Sequence, residues 1–238
     1  VLMWRGTGVM FQRDMLGPGV LIGVVFSFEF VCLFLALDLT TVVRTSVIFY
    51  TMPVWLAVAG HFLLPSEQLT RVKIAGLTLA FAGVCWAIVM RGGGGEASLL
   101  GDLFALGAAF GWAGMILCAR ATRVREIGAE LQLMWQVGVS AVLLLALSPL
   151  FGPLFRDPEL VHWASLGFQT VVVVLFGFMF WLWLLKIYPA ALGAAFGFLA
   201  PIFGVAFGWL ILGEQVGPEI LVALALVCAG LWMINRPA

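Results

Sequence analysis

The chain has 238 residues, 63% of them hydrophobic and 10% charged, against about 25% charged in an ordinary soluble domain. That much apolar surface cannot be hidden in one soluble core, so most of it must face lipid or other helices. Twelve basic residues balance twelve acidic ones, which removes the basic footprint that nucleic acid requires, and continuous apolar runs exclude the period-two alternation of a membrane barrel.

Reading between charged or Gly/Pro-rich breaks predicts eight membrane-spanning helices, at 16–37, 41–64, 72–90, 100–119, 130–151, 163–185, 190–212 and 218–235. The first carries Glu29 within "VVFSFEFVCLF". An ionised carboxylate at a helix centre costs about 2.5–3.5 kcal/mol on insertion scales, so Glu29 is expected to face a cavity or a partner. It can exchange a coupling proton, hold a cationic group of a small-molecule substrate, or serve as one side of a structural ion pair.

The second span brings Arg44, Tyr50 and Pro53. Counting about 1.5 Å of rise per residue puts Tyr50 near the depth of Glu29 and Arg44 about two turns further out. Arg44 is expected to reach down to Glu29, to snorkel upwards to water, or to pair with Asp38 near the outer boundary. Pro53 removes a backbone hydrogen bond and predicts a break or hinge. The third span has a stripe of small residues, Gly76, Ala80, Gly83 and Ala87, suited to close helix packing.

Trp112 in the fourth span is a candidate cavity wall, with Trp181 and Trp183 later; Gln136 in the fifth and Gln169 in the sixth are polar candidates for cavity lining or interhelical bonding, as is Gln132. The seventh span holds Gly193, Gly197, Gly204 and Gly208 around Pro201, two GxxxG pairs flanking a second helix break. Glu67 and Glu214 end their helices just before Thr70 and Gly217-Pro218, which read as the starts of the next ones, so hairpin structure explains these acids better than ligand contact. Cys32, Cys85, Cys118 and Cys228 lie in apolar runs without metal-ligand spacing; no metal or cofactor is expected.

The chain also repeats itself. Thr51-Met52-Pro53 matches Leu199-Ala200-Pro201, "HFLLPSEQL" (61–69) matches "WLILGEQV" (209–216), and Ala82-Gly83 matches Ala229-Gly230, at a register of 148 residues that falls to 147 past one deletion. Extended backwards, this register leaves spans 100–119 and 130–151 without counterparts. The expectation is two five-helix repeats: residues 1–97 supply the last three helices of the first, and 98–238 the whole second, of a ten-helix protein. Alternating links place Arg5, Arg13, Arg71, Lys73, Arg120, Arg123, Arg125, Lys186 and Arg236 on one side, against Arg44, Arg91 and Arg156. The positive-inside rule makes the first side cytoplasmic. An odd number of helices per repeat inverts the second repeat, an arrangement on which many secondary transporters build alternating access.

Three segments, 35–84, 101–120 ("GDLFALGAAFGWAGMILCAR") and 181–215, carry a resemblance to the EamA-type branch of the drug/metabolite transporter superfamily. In both halves a mid-helix Pro is followed by a Glu at the helix end and then a Gly-bearing helix. The resemblance implies an all-α membrane fold of ten helices, a central cavity between the halves, residence in the bacterial inner membrane, and export of amino acids or similar small metabolites. The competing readings are a membrane-embedded enzyme, which would need convergent acids, histidines or metal ligands, and a non-transporting helical scaffold.

Overall fold

The computed structural model describes residues 13–64, 69–90, 98–153, 157–177, 180 and 199–235. The secondary structure of the described residues is all helical, with no strand, in the order α1 (Arg13–Leu39), α2 (Val42–Phe49), α3 (Met52–Leu63), α4 (Arg71–Val89), α5 (Leu99–Ala121), α6 (Ala129–Leu147), α7 (Leu160–Phe168), α8 (Leu199–Leu212) and α9 (Pro218–Ile234). Short 3-10 turns follow α5 and α6, and a π-helical stretch, Gln169–Gly177, continues α7. Six stretches are long and apolar enough to cross a membrane, α2 and α3 counting together as Val42–Leu63; α8 and α9 are shorter apolar helices. The predicted spans therefore reappear up to 177. Residues 181–198, with the rest of the sixth predicted span and the start of the seventh, lie outside the described residues.

Helix starts follow local chemistry. Thr41, Thr70 and Ser98 cap α2, α4 and α5, each in extended backbone with its hydroxyl accepting from an amide of the first turn. Gly217 precedes Pro218 at the first position of α9, where a missing N–H costs nothing. The second predicted span is two helices: α2 stops at Phe49, Thr51 donates its N–H and its hydroxyl to the Ile48 carbonyl, and α3 begins at Met52 with Pro53 in its first turn. Pro53 thus opens the second helix and does not kink the interior of one, because its fixed φ suits a first turn.

The chain divides into two compact units, residues 1–144 with 198–238, and residues 145–197. The second contains α7, whose N-terminus is closed by a reciprocal box in which His162 Nδ1 accepts from the Glu159 N–H at 2.9 Å. In the first, α1 and α5 run antiparallel in close contact. Their approach is set by small residues: a methyl group added at Gly101 meets Thr40 Cβ at 2.8 Å, and one at Gly111 meets Glu29 Cβ at 2.8 Å. α4 and α9 also pack antiparallel, Gly76 on the Gly230 carbonyl and Gly83 on the Ala223 carbonyl. α8 lies on α2, with Gly204 against Ser46 and Gly208 against Val43. One apolar core joins α2, α3, α4, α8 and α9 around Val47, Val84 and Val227; a second joins α1, α5 and α6 around Ile22, Met115 and Trp135.

These contacts bring the end of α1, the start of α2, the end of α4, the start of α5 and the end of α8 to one end of the unit. Arg13, Arg71, Lys73, Arg120, Arg123 and Arg125 lie at the opposite helix termini. There Arg123 pairs with Asp14 at 2.7 Å and with Glu126 at 3.3 Å in the open.

Candidate substrate site

Glu29 sits in the second half of α1 and is 1% exposed. Its backbone rests against Gly111 of α5, where any side chain would collide with it. Among the described residues its Oε2 is fully buried with no hydrogen-bond partner. A buried carboxyl oxygen left unpaired is costly, so the site calls for a proton, a ligand or water at that atom.

Aromatic rings flank the same level. Phe26, Phe30 and Phe34 form a ladder along α1, with centroids 4.7 and 5.8 Å apart. Trp112, the residue after Gly111, meets Phe49 edge-on at 5.9 Å, and Phe49 meets Tyr50 at 5.5 Å. The break between α2 and α3 is therefore brought to Trp112. Tyr50 and Trp112 are both half-buried.

Arg44 is elsewhere. Its Nη2 lies 2.6 Å from Asp102 Oδ2 and its Nε 3.1 Å from Oδ1, a two-pronged pair in which Arg44 is 5% exposed and Asp102 not at all. Thr40 donates its hydroxyl to Asp102 at 3.2 Å, and Arg44 also donates to the Ala87 carbonyl at 2.5 Å. This corrects the expectation that Arg44 pairs with Glu29 or Asp38. The reason is axial distance: Asp102 and Gly111 stand nine residues apart on α5, about 13 Å, so a guanidinium held at Asp102 is beyond reach of the carboxylate beside Gly111. Asp102 was missed from sequence because an acid in a first helical turn reads as a dipole partner.

The remaining candidates scatter. Gln136 is buried on α6 beside Trp135, whose ring fills the space over Gly19 and whose Nε1 is buried without a partner among the described residues. Gln169 is exposed at the junction of α7 with the π-helical stretch. Pro201 is buried in the first turn of α8 as described, and Gly204 and Gly208 face α2, while Gly76 and Gly83 serve the α4–α9 contact. Gly193, Gly197, Trp181, Trp183 and Glu67 lie outside the described residues. Glu214 does not stop at its own hairpin: its two oxygens accept from the N–H groups of Val42 and Val43 at 2.7 Å each. Among the described residues no group of three or more His, Cys, Asp or Glu is arranged to hold a metal.

Comparison with known proteins gives the frame for these features. YoaV, an uncharacterized transporter of Bacillus subtilis (strain 168), is 29% identical over 193 residues, 80% of this chain and 65% of that protein. YvbV of the same organism, another uncharacterized transporter, is 26% identical over 195 residues, 80% of this chain and 62% of its own length. The chain thus spans a little under two thirds of both. A probable amino-acid metabolite efflux pump of Salmonella typhimurium is 27% identical over 226 residues, 89% of this chain and 74% of that protein. A crystal structure 22% identical to the chain superposes with a TM-score of 0.60 over 96% of this chain and 78% of its own, which shows a shared fold. The model of the EamA-like transporter family matches residues 1–89 and 99–236, nearly the whole length, and this multi-pass protein of the cell membrane belongs to that family.

Proposed function

We propose that the chain is the larger part of a secondary transporter that exports amino acids or similar small metabolites by alternating access, with Glu29 as its proton or substrate-ammonium site. The observation that carries this reading is the Glu29 carboxyl: buried deep in α1 against Gly111, next to the Trp112 that meets Phe49, and without a cation among the described residues, Arg44 being bound to Asp102. An oxygen kept unpaired in a low-dielectric interior is suited to a cation or proton that comes and goes. Export over uptake is supported by the efflux pump among the relatives.

The inverted repeat is part of the proposal. Under the 147-residue register Gly76 corresponds to Ala223 and Gly83 to Gly230. The contacts Gly76–Gly230 and Gly83–Ala223 therefore exchange with each other, as a two-fold axis requires and a simple translation does not. The same register calls for two helices ahead of α1 to complete the first repeat. The helix ends rich in Arg and Lys face the cytoplasm in this reading, and the end holding Arg44, Asp102 and Glu214 faces outwards.

The test is flux of a panel of amino acids in proteoliposomes of the full-length protein, with wild type beside Glu29→Gln. Loss of pH dependence with turnover retained assigns a coupling proton to Glu29; weakened affinity with the pH profile retained assigns the substrate ammonium. A folded Glu29→Gln protein with wild-type flux, affinity and pH profile removes Glu29 from the mechanism.

A further inference from the structure

At the end of the bundle that holds Arg44, the first turn of α2 is fastened in two different ways. Its free amides are all occupied: Thr41 Oγ1 accepts from Arg44 N at 3.2 Å, and the two before it, on Val42 and Val43, go to Oε1 and Oε2 of Glu214. Glu214 is 171 residues further along the chain from Val43, on the loop after α8. Gly213, at φ +67°, turns that loop through the left-handed region, and the Glu214 N–H donates back to the Gly208 carbonyl at 3.2 Å. Gly208 is itself needed bare: a methyl group there would lie 2.7 Å from Val43 Cγ2 and 3.2 Å from Glu214 Oε2. The carboxylate thus caps a helix that is not its own, and it does so only while α8 lies on α2.

The second fastening is of another kind. Arg44, one residue on, ties the same turn to Asp102 of α5 and to the carbonyl of Ala87 on α4, with both charged groups buried. Separating that pair strands a buried charge. The Glu214 bonds are only partly buried, so on separation water can take over both the amides and the carboxylate. One side of α2 is bound to α4 and α5 through a buried ion pair, and the other is held by part-buried bonds that water can replace.

We propose that Glu214 is a releasable latch, which keeps α8 on α2 when this end of the bundle is closed and lets α8 leave when it opens. Among the described residues the α8–α2 face has Gly204 and Gly208 on one side and Ser46 and Val43 on the other, so Glu214 supplies its charge-assisted bonds. The inference rests on the transport reading, since a bundle that never opens needs no latch.

The test needs no substrate. In the full-length protein without its native cysteines, Ser46→Cys lies under Gly204 and reports separation of the two helices. A membrane-impermeant methanethiosulfonate reagent is applied to right-side-out and to inside-out vesicles, and labelling is counted per folded molecule. Glu214→Gln, which can accept only one of the two bonds well, is expected to raise the labelling rate about tenfold from the outer side, the size expected for one charge-assisted bond. Gly204→Ala, which pushes α8 from Ser46 with Glu214 intact, is expected to act in the same direction when read from a cysteine at Val43. A gain from the inner side keeps the latch and overturns the orientation. Unchanged labelling from both sides, or a Glu214→Gln protein that does not fold, makes Glu214 a static cap and overturns the proposal, while leaving export itself to be decided by flux.

Discussion

Replacing Asp102 with Asn isolates the buried pair at the end of α2. The change preserves side-chain volume and the hydrogen bond from Thr40, but it leaves the Arg44 guanidinium charged, 5% exposed and facing a neutral amide. Breaking a buried ion pair from one side costs about 3–5 kcal/mol. The Ala87 carbonyl remains as an acceptor and keeps the expected value for Asp102→Asn near the lower bound, about 3 kcal/mol. Reversible unfolding of the full-length protein in mixed micelles of mild detergent and SDS measures it. The double variant Arg44→Gln, Asp102→Asn removes both charges and is expected to regain at least half of the loss, because two amides can bond to each other across the same gap. An Asp102→Asn protein as stable as wild type refutes the reasoning, since it means that Arg44 finds water or another anion at no cost.

Four further outcomes are expected. Gly230→Leu places a side chain 2.7 Å from Ala80 Cβ in the α4–α9 contact and is expected to cost about 1–3 kcal/mol or more, whereas Gly138→Ala, with open space around it, is expected to stabilise α6 by up to about 1 kcal/mol; both are read by the same unfolding titration. Asp14→Asn, which removes a solvent-exposed partner of Arg123, is expected to leave the unfolding curve unchanged at physiological salt. A cysteine at position 123 is expected to react with an impermeant reagent only from the cytoplasmic side, and reaction from outside reverses the orientation.

The sequence was sufficient for the six long apolar stretches because length and apolarity are local properties, and the helix starts at Thr70 and Gly217-Pro218 announce themselves in their own first turns. Glu29 was legible for the same reason: a carboxylate in an uninterrupted apolar run has few places to go. Partners were harder. Depth along a helix is countable, but lateral adjacency is not. Arg44 is the third residue of α2 and Asp102 the fourth of α5, and both helices start at one end of the unit, so equal depth was available as a signal. What a linear reading lacked was the knowledge that Gly101 lets α5 come against Thr40. Glu214 misled in a similar way, since a residue in a hairpin is readily explained by the hairpin, and its reach to Val42 depends on bare glycine surfaces on α8.

The separation in sequence of Arg44 and Asp102 has a consequence for how the protein is made. The two residues are 58 positions apart, so at a synthesis rate of about 5–20 residues per second Arg44 is added to the chain roughly 3–12 s before its carboxylate exists. During that interval α2 and α3 must enter the bilayer as a segment carrying an unneutralised guanidinium. Its place in the first turn of α2 makes this tolerable, because from a helix end the long side chain can stretch to the headgroups until Asp102 arrives. A chain truncated before Asp102 is therefore expected to keep Arg44 at the membrane surface, where an impermeant reagent reaches a cysteine in its place, and the full chain to draw it inward.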